Sequence, residues 1–590
     1  MLKLDFYKAF DSVSWSFLLK TLRCRGFPHN YLCWLELLFN SSCSALLVNG
    51  LVGPTFKHRR GLRQGDPISP SLFLLAADVL TRMMQVTSLT ISERLSPELN
   101  DPFYILQYAD DTLIFSTAKR QAPRSLLLVL ELFSKVSGMT LNLVKSSFVP
   151  FSLQEQQVEL LQNLFCCSST TLPIQYLGLP LSYKRPDRAT FQMLIDKLTK
   201  RLSGWKAKML SRAGRLVLAS SVLSTIPVFF MSVFKLPVWV VRAIDRLRRD
   251  FIWKGPAQQN RGVNLLSWDR VCLPKSLGGF GLLNLTLHNI SLLLRWLWRI
   301  YDKPQSQWAS IAKLLYSAVG RLNTPLVWKQ SGSFFWRDLR NLRPFFQLSV
   351  KAEVHRGDGT LFWYDNWAGT LVRFIGADHP FPNRYITLRD ALPRLDHLLP
   401  SPMNFLETQI YDAAQNFHLS TGADKFLWRW RTDGRFSVSS VYKHLASAGK
   451  CSFVFKNLWK LRVPPTIHMF LVLLAHGRIL TQDQLLRRGI PCQHKCVMCG
   501  MLIIEDREHL FCECIFAQNI WTRMQFNAPT VNIILHNLCS ANTQWQVNLA
   551  TALWGLWLER NNRTFREEIR PLDLVHQWIV QQATLFWKFC

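Results

Sequence analysis

Two adjacent acids, Asp110 and Asp111, interrupt an otherwise apolar run over residues 103–115. The residues on both flanks, 103–108 and 112–115, are β-branched, aromatic and aliphatic, which marks two strands joined by a short turn. The pattern predicts a hairpin with two carboxylates at its tip. Their mutual repulsion is tolerable there only with a cation at hand. Acidic residues are common in turns, so the meaning of this pair depends on what else the chain carries.

The residues before and after the pair predict an α+β order: strand, helices, strand, helix, hairpin, helix, strand. Residues 2–6 form a short strand with Asp5 near its end. Lys8-Ala9-Phe10 opens a helical pattern that runs through Trp15, Phe17, Leu18 and Leu22. A second helix, 29–39, follows the turn at Gly26-Phe27-Pro28. Residues 44–50 read as a strand that ends in the hairpin dipeptide Asn49-Gly50. The loop 61–70 opens a long helix, with Ser69 as its N-cap and Pro70 at its first position. Another helix, 125–137, ends at Gly138, and residues 141–146 form a strand or turn. Asp5 and Asp110 thus both fall at strand ends or turns.

Charge narrows the partners. Lys and Arg number 70 against 39 Asp and Glu, a formal +31, which favours polyanions, nucleic acid first. With 590 residues, 48% of them hydrophobic, the chain can bury several cores and is not a disordered protein. Residues 186–300 read as helical and basic. Arg201, Trp205, Lys206, Lys208, Arg212 and Arg215 cluster there around an aromatic, a composition suited to backbone phosphates or to a solvated helix face. Residues 216–234 carry no charge and are about long enough to cross a bilayer, yet Pro227 lies inside them. Two buried helices hinged at the proline fit as well, and no other segment supports a membrane reading. Residues 301–425 show no sharp chemistry beyond a tight turn into a strand at 356–363.

Five of the 14 cysteines lie between Cys492 and Cys514. The chain opens without a secretory signal, so they are expected to be intracellular thiols and a metal site rather than disulfides. Cys496-x-x-Cys499 followed by His509 and Cys514 offers three thiolates and an imidazole, a set suited to a closed tetrahedral structural Zn²⁺. At the other end of the chain, Asp5 with Asp110 and Asp111 offers the oxygen ligands that two Mg²⁺ ions need for nucleotidyl transfer. Asp11 and Asp66, in helix-start and turn contexts, are expected to brace loops.

These stretches, Leu4 to Val13 with its Lys-Ala-Phe-Asp-Ser-Val, Gly61 to Ser71, and Tyr108-Ala109-Asp110-Asp111, resemble successive palm motifs of a reverse transcriptase. Their wording is similar to non-LTR (LINE-type) retrotransposon polyproteins, those of plants especially. Residues 138–146, 176–180, 211–215 and 235–237 extend the likeness. Residues 505–514 with Trp521, together with 434–442 and 459–470, resemble the zinc-binding domain of the same elements.

The resemblance implies an RNA-directed DNA polymerase acting with two catalytic Mg²⁺ at Asp5, Asp110 and Asp111. It implies Phe10 as the gate against a ribose 2′-hydroxyl, with Gln64, Gly65 and Tyr108 lining nucleotide and template. Lys145 becomes the candidate general acid for pyrophosphate, and Tyr176, Leu177 and Gly178 the primer grip. The implied partners are an RNA template, a DNA primer or target and deoxynucleoside triphosphates, without a membrane; the expected location is the nucleus. The implied layout is a partial palm with an antiparallel sheet and packed helices over 1–185, a helical basic thumb over 186–300, a connector over 301–425, a small α-helical zinc domain over 426–525 and a helical tail over 526–590. The family's fingers and endonuclease are not found ahead of Asp5, and no acidic constellation for an RNase H is seen. The expectation is therefore a 5′-truncated element with impaired polymerisation; the alternative is a catalytically inactive nucleic-acid-binding remnant.

Overall fold

The structure, a computed structural model, describes residues 1–87, 105–118, 121–202, 210–255, 262–316, 332–369, 386–399, 402–403, 405–447, 452–540 and 543–589. It divides into two units, Met1–Pro186 and Asp187–Cys590.

The first unit is built on a five-stranded sheet. In chain order its strands are β1 (Leu2–Leu4), β4 (Ile105–Tyr108), β5 (Asp111–Ile114), β6 (Ser147–Phe148) and β7 (Ser168–Ser169). Their spatial order is β4-β5-β1-β6-β7, antiparallel except for the β6–β7 pair. The central β1 alternates Leu2 and Leu4, both buried, with the half-exposed Lys3 between them, the period of a strand with one buried face. Helices Trp15–Cys24, Ser69–Val86 and Gln121–Ser137 share one core, filled by Leu18, Leu22, Phe73, Leu80, Leu126 and Phe133. Hairpin β2 (Cys43–Val48) and β3 (Leu51–Lys57) turns on Asn49 and Gly50, both with positive φ.

Three sequence expectations shift. The helical pattern from Lys8 breaks into Ala9–Ser12 and Trp15–Cys24, because Ser14 leaves the helix to cap the second piece through the Phe17 N–H. Ser69 is the first helical residue rather than the cap; the Asp66 carboxylate instead accepts from the Ile68 N–H ahead of the helix. Residues 142–145 form a turn rather than a strand, with Leu141 bridging Phe6 before it and β6 following. Gly138 does end its helix, at φ +79, and a Cβ there would lie 2.6 Å from the Ser12 carbonyl oxygen.

The second unit is mainly helical, with one core running from Phe191 to Ala583 and smaller clusters around Trp298–Trp428 and Phe362–Trp367. Its small sheet pairs β10 (Val350–Glu353) with β11 (Lys425–Trp428). The uncharged stretch 216–234 breaks into a helix Arg212–Leu218, a π-turn Ala219–Leu223 and a helix Val228–Met231 entered from Pro227. Among the described residues no helix is long and apolar enough to cross a membrane.

Candidate active site and metal centre

Strand pairing brings the first unit's acids together. β4 and β5 form the expected hairpin, with Tyr108 opposite Asp111 and only Ala109 and Asp110 between them. Ala109 sits at φ 53, a left-handed conformation that costs a non-glycine residue about 1–2 kcal/mol. β1 runs antiparallel beside β5 with Leu4 opposite Thr112, so Asp5 emerges next to the hairpin tip. Burial, then Asp110, and more weakly Asp5, push the Asp111 carboxyl above its ordinary value, against the pull of Lys3. The acids accumulate negative charge at one sheet edge, and a divalent cation would relieve it. Among the described residues the three aspartates do not close into one tight ligand cluster, as the cysteine set does.

Asp5 is held from behind by the turn at 142–146. The Asn142 N–H donates to the Asp5 carbonyl at 2.8 Å, and its amide Nδ2 donates to Oδ2 at 3.3 Å. The Asp5 N–H donates to Ser146 Oγ at 3.2 Å, and Lys145 Nζ lies 3.8 Å from Oδ2 on an exposed side chain. Lys145 therefore joins the site, while Asn142 and Ser146, to which the sequence assigned no role, orient its first carboxylate.

Hairpin β8 (Ile174–Tyr176) and β9 (Leu179–Leu181) turns on Leu177 and Gly178, both left-handed. Lys3 Nζ donates to the Gln175 carbonyl at 2.8 Å. Burial and the nearby Asp111 raise the Tyr176 hydroxyl, which places this hairpin at the acidic edge.

The glycine loop docks on the segment after Asp5. Gly61 N–H donates to Val13 O and Leu62 N–H to Phe10 O, both at 2.8 Å. Gly61 is left-handed, and a Cβ there would lie 2.6 Å from the Asp11 carbonyl oxygen. Phe10 stacks on Phe73 at 4.4 Å. Gln64 is exposed and reaches Asp11 Oδ1 at 3.4 Å, Gly65 turns at φ 90, and Tyr108 is exposed.

In the second unit one ligand atom each from Cys496, Cys499, His509 and Cys514 lies within 4.8 Å of all the others. The Cys496–Cys499 turn closes through Gly500 N–H to Cys496 O at 2.9 Å. Hydrogen bonding with Cys514, and backbone N–H groups of Cys499 and Met498, hold the Cys496 thiol well below its usual range; the same bond raises Cys514. His509 turns Nε2 towards Cys499 Sγ at 3.5 Å and Nδ1 towards Glu513 at 3.9 Å, the two-sided arrangement of a ligating histidine.

The family comparisons fall on these two sites. Residues 1–181 match the reverse transcriptase (RNA-dependent DNA polymerase) family, and residues 436–521 the family described as zinc-binding in reverse transcriptase. A protein of Arabidopsis thaliana named as a ribonuclease H protein is 28% identical over 432 residues, 68% of this chain and 69% of its own length. The Pol polyprotein of the Drosophila melanogaster type-2 retrotransposable element R2DM is 29% identical over 154 residues, and that of a Popillia japonica type-1 element R2 32% over 150. The chain belongs to the non-LTR retrotransposon reverse transcriptases. It covers 26% of this chain against 14% of the Drosophila polyprotein, and 25% against 20% of the Popillia one.

Of this reverse transcriptase's basic residues singled out in sequence, Trp205, Lys206 and Lys208 lie outside the described residues. Arg201 is exposed near the end of helix Arg188–Leu202. Arg212 and Arg215 share the next helix, where burial and then Arg215 lower the Arg212 guanidinium. Sequence reading also missed the support behind the cysteine cluster. Glu505, fully buried, accepts from Arg560 Nε at 2.9 Å, and Arg563 donates to the Met498 carbonyl at 3.1 Å. Both arginines sit on helix Gln544–Phe565, beyond the matched zinc-binding stretch, where no motif announces them.

Proposed function

We propose that the chain performs RNA-templated DNA synthesis by two-metal nucleotidyl transfer at Asp5, Asp110 and Asp111. The observation that carries this is the β1–β5 pairing, which sets Asp5 beside the Asp110–Asp111 tip. Bound Mg²⁺ supplies activation of the primer 3′-hydroxyl and neutralisation of the triphosphate. The carboxylates would hold those ions, and their crowding on one edge suits that load. Lys145, exposed and beside Asp5, is placed to give a proton to departing pyrophosphate. Phe10, rigid against Phe73, would bar a ribose 2′-hydroxyl, with Gln64, Gly65 and Tyr108 at the nucleotide and template. The Tyr176–Leu177–Gly178 turn would hold the primer end. Arg201, Arg212 and Arg215, with Trp205, Lys206 and Lys208, would take phosphates. A structural Zn²⁺ at Cys496, Cys499, His509 and Cys514 would close the small domain without a catalytic position.

The test is primer extension on an RNA template with Mg²⁺. Asp110→Asn should abolish incorporation while leaving nucleic-acid binding intact; incorporation unchanged by that substitution sinks the assignment. The same assay weighs the remnant reading and the expectation of impaired synthesis. Salt-sensitive binding with no incorporation by the unsubstituted chain assigns a remnant, and robust synthesis rules impairment out.

A further inference from the structure

Residues between the two matched regions carry a cleft of about 1150 Å³, formed by helix Leu285–Asp302, the segment that follows it, and β11 with its turn. That exceeds the roughly 300–1,000 Å³ of an ordinary small-molecule pocket, so its shape suits a chain better than a compact ligand.

Its charge is unbalanced. Arg295, Arg299, Lys303, Lys425 and Arg435 line it against Asp302, Asp424 and Asp433. Two of those acids are already engaged. Asp424 accepts from the N–H groups of His355, Gly357 and Gly359 and from the Thr360 hydroxyl, at 2.8–3.0 Å. Asp433 pairs with Arg431 and accepts the Arg435 N–H. Arg295 and Arg299 stand one helical turn apart, a like-charge spacing that destabilises a helix unless an anion answers it. Burial and Arg295 both lower the Arg299 guanidinium. Among the described residues, Arg295, Lys303 and Lys425 form no ion pair.

Aromatic rings line the same cleft. Trp308 and Phe436 are half-buried there, Phe436 stacked on Trp298 at 5.7 Å, and Tyr301 packs against Phe426 at 4.5 Å. Cations combined with aromatic rings suit a single strand, whose phosphates and unpaired bases are both on offer. A duplex keeps its base faces inside and would leave the rings unused.

We propose that this cleft is a second nucleic-acid site, which holds a single strand with its phosphates on Arg295, Arg299 and Lys425 and its bases against Trp308, Tyr301 and Phe436. The proposal deepens the polymerase reading and rests on it only for the class of partner.

The test uses the full chain carrying Asp110→Asn, so that no chemistry intervenes. RNA and DNA single strands bearing photoreactive thio-bases, and a duplex of the same sequence, are cross-linked and the attachment sites mapped. Cross-links are expected within 296–308 and 425–436 from single strands, and at least tenfold fewer from the duplex. Comparing the RNA and DNA strands distinguishes template from displaced DNA as the occupant. Replacing Arg295, Lys425 and Arg435 with Ala should remove these cross-links and leave those within 1–186. It should also lower the salt slope of single-strand binding by about 2, at roughly 0.7 per lost phosphate contact. Unchanged thermal unfolding shows that the variant folds. Cross-links absent from this cleft, or unmoved by the triple substitution in a folded chain, overturn the proposal. Cross-links present in a chain whose Asp110 parent fails to polymerise leave the cleft standing and the polymerase reading refuted.

Discussion

Replacing Asn142 with Ala removes one hydrogen bond to the Asp5 carboxylate and spares the rest of its setting. The backbone N–H of residue 142 still donates to the Asp5 carbonyl, and Ser146 still accepts from the Asp5 N–H. A hydrogen bond to a charged group contributes about 1.5–3 kcal/mol. This one is long at 3.3 Å, and the Asp5 side chain is 23% exposed, so the lower end applies, about 1–1.5 kcal/mol. Applied to a carboxylate that must face a metal, that is roughly a tenfold loss in rate. Single-turnover primer extension should show kcat down about tenfold with KM for the nucleotide little changed. The Mg²⁺ concentration at half-maximal rate should rise, because a less oriented ligand binds the ion less well. Stability should fall by no more than about 1 kcal/mol, since the turn also loses the Lys145 N–H bond to Asn142 Oδ1. An unchanged rate and Mg²⁺ midpoint would refute the view that the 142–146 turn orients the first carboxylate.

Four further outcomes are expected. Chelating zinc, or Cys496→Ser, should unfold the region around 482–514 and expose Trp521, read as a shift in tryptophan emission; an unmoved spectrum counts against a structural metal. Arg560→Gln leaves Glu505 buried and uncompensated and should lower denaturant stability by about 3–5 kcal/mol, whereas the double change Glu505→Gln with Arg560→Met should recover much of it. Gly138→Ala must adopt φ +79 against the Ser12 carbonyl, so its unfolding midpoint should drop by the equivalent of at least about 2 kcal/mol, and a neutral effect would contradict the observed approach. Burial pushes the Asp365 carboxyl up to about 7 in the folded chain against an ordinary 3.8, with Asp424 adding to the rise. The folded state then holds a proton that the unfolded chain releases, so stability should fall between about pH 4 and 7 and level off above. Asp365→Asn, which keeps an acceptor for the Leu361 N–H, should flatten that decline in a thermal-melt series; an equally steep decline in the variant argues against Asp365 as its source.

The contributions of sequence and tertiary structure separate along physical lines. Local patterns were legible wherever a short run carries its own signal. The apolar flanks of Asp110–Asp111, the Asn49-Gly50 turn and the glycine after Ser137 each report a backbone conformation that neighbours alone dictate. The spacing of Cys496, Cys499, His509 and Cys514 likewise named the ligand set, because a thiolate cluster needs those residue types whatever surrounds it. Helix ends were less legible. Ser69 has the right chemistry for a cap, but Asp66 reaches the helix entrance first, and Ser14 breaks a periodic run because capping competes locally with helix continuation.

Long-range pairing was not legible at all. That Asp5 comes to rest beside Asp110 follows from β1 lying between β5 and β6, a consequence of burying Leu2 and Leu4 in one sheet. Asn142 supports Asp5 across 137 residues of chain, and Arg560 neutralises Glu505 across 55; neither separation leaves a trace in a local window. The cleft on helix Leu285–Asp302 belongs to the same class, since Lys425 and Arg435 join Arg295 only after the chain returns. The sequence by itself determined which groups were available: acidic strand ends, thiol ligands and an excess of cations. The tertiary structure alone decided which of them meet, because contact between distant residues is set by the burial of the apolar faces that carry them.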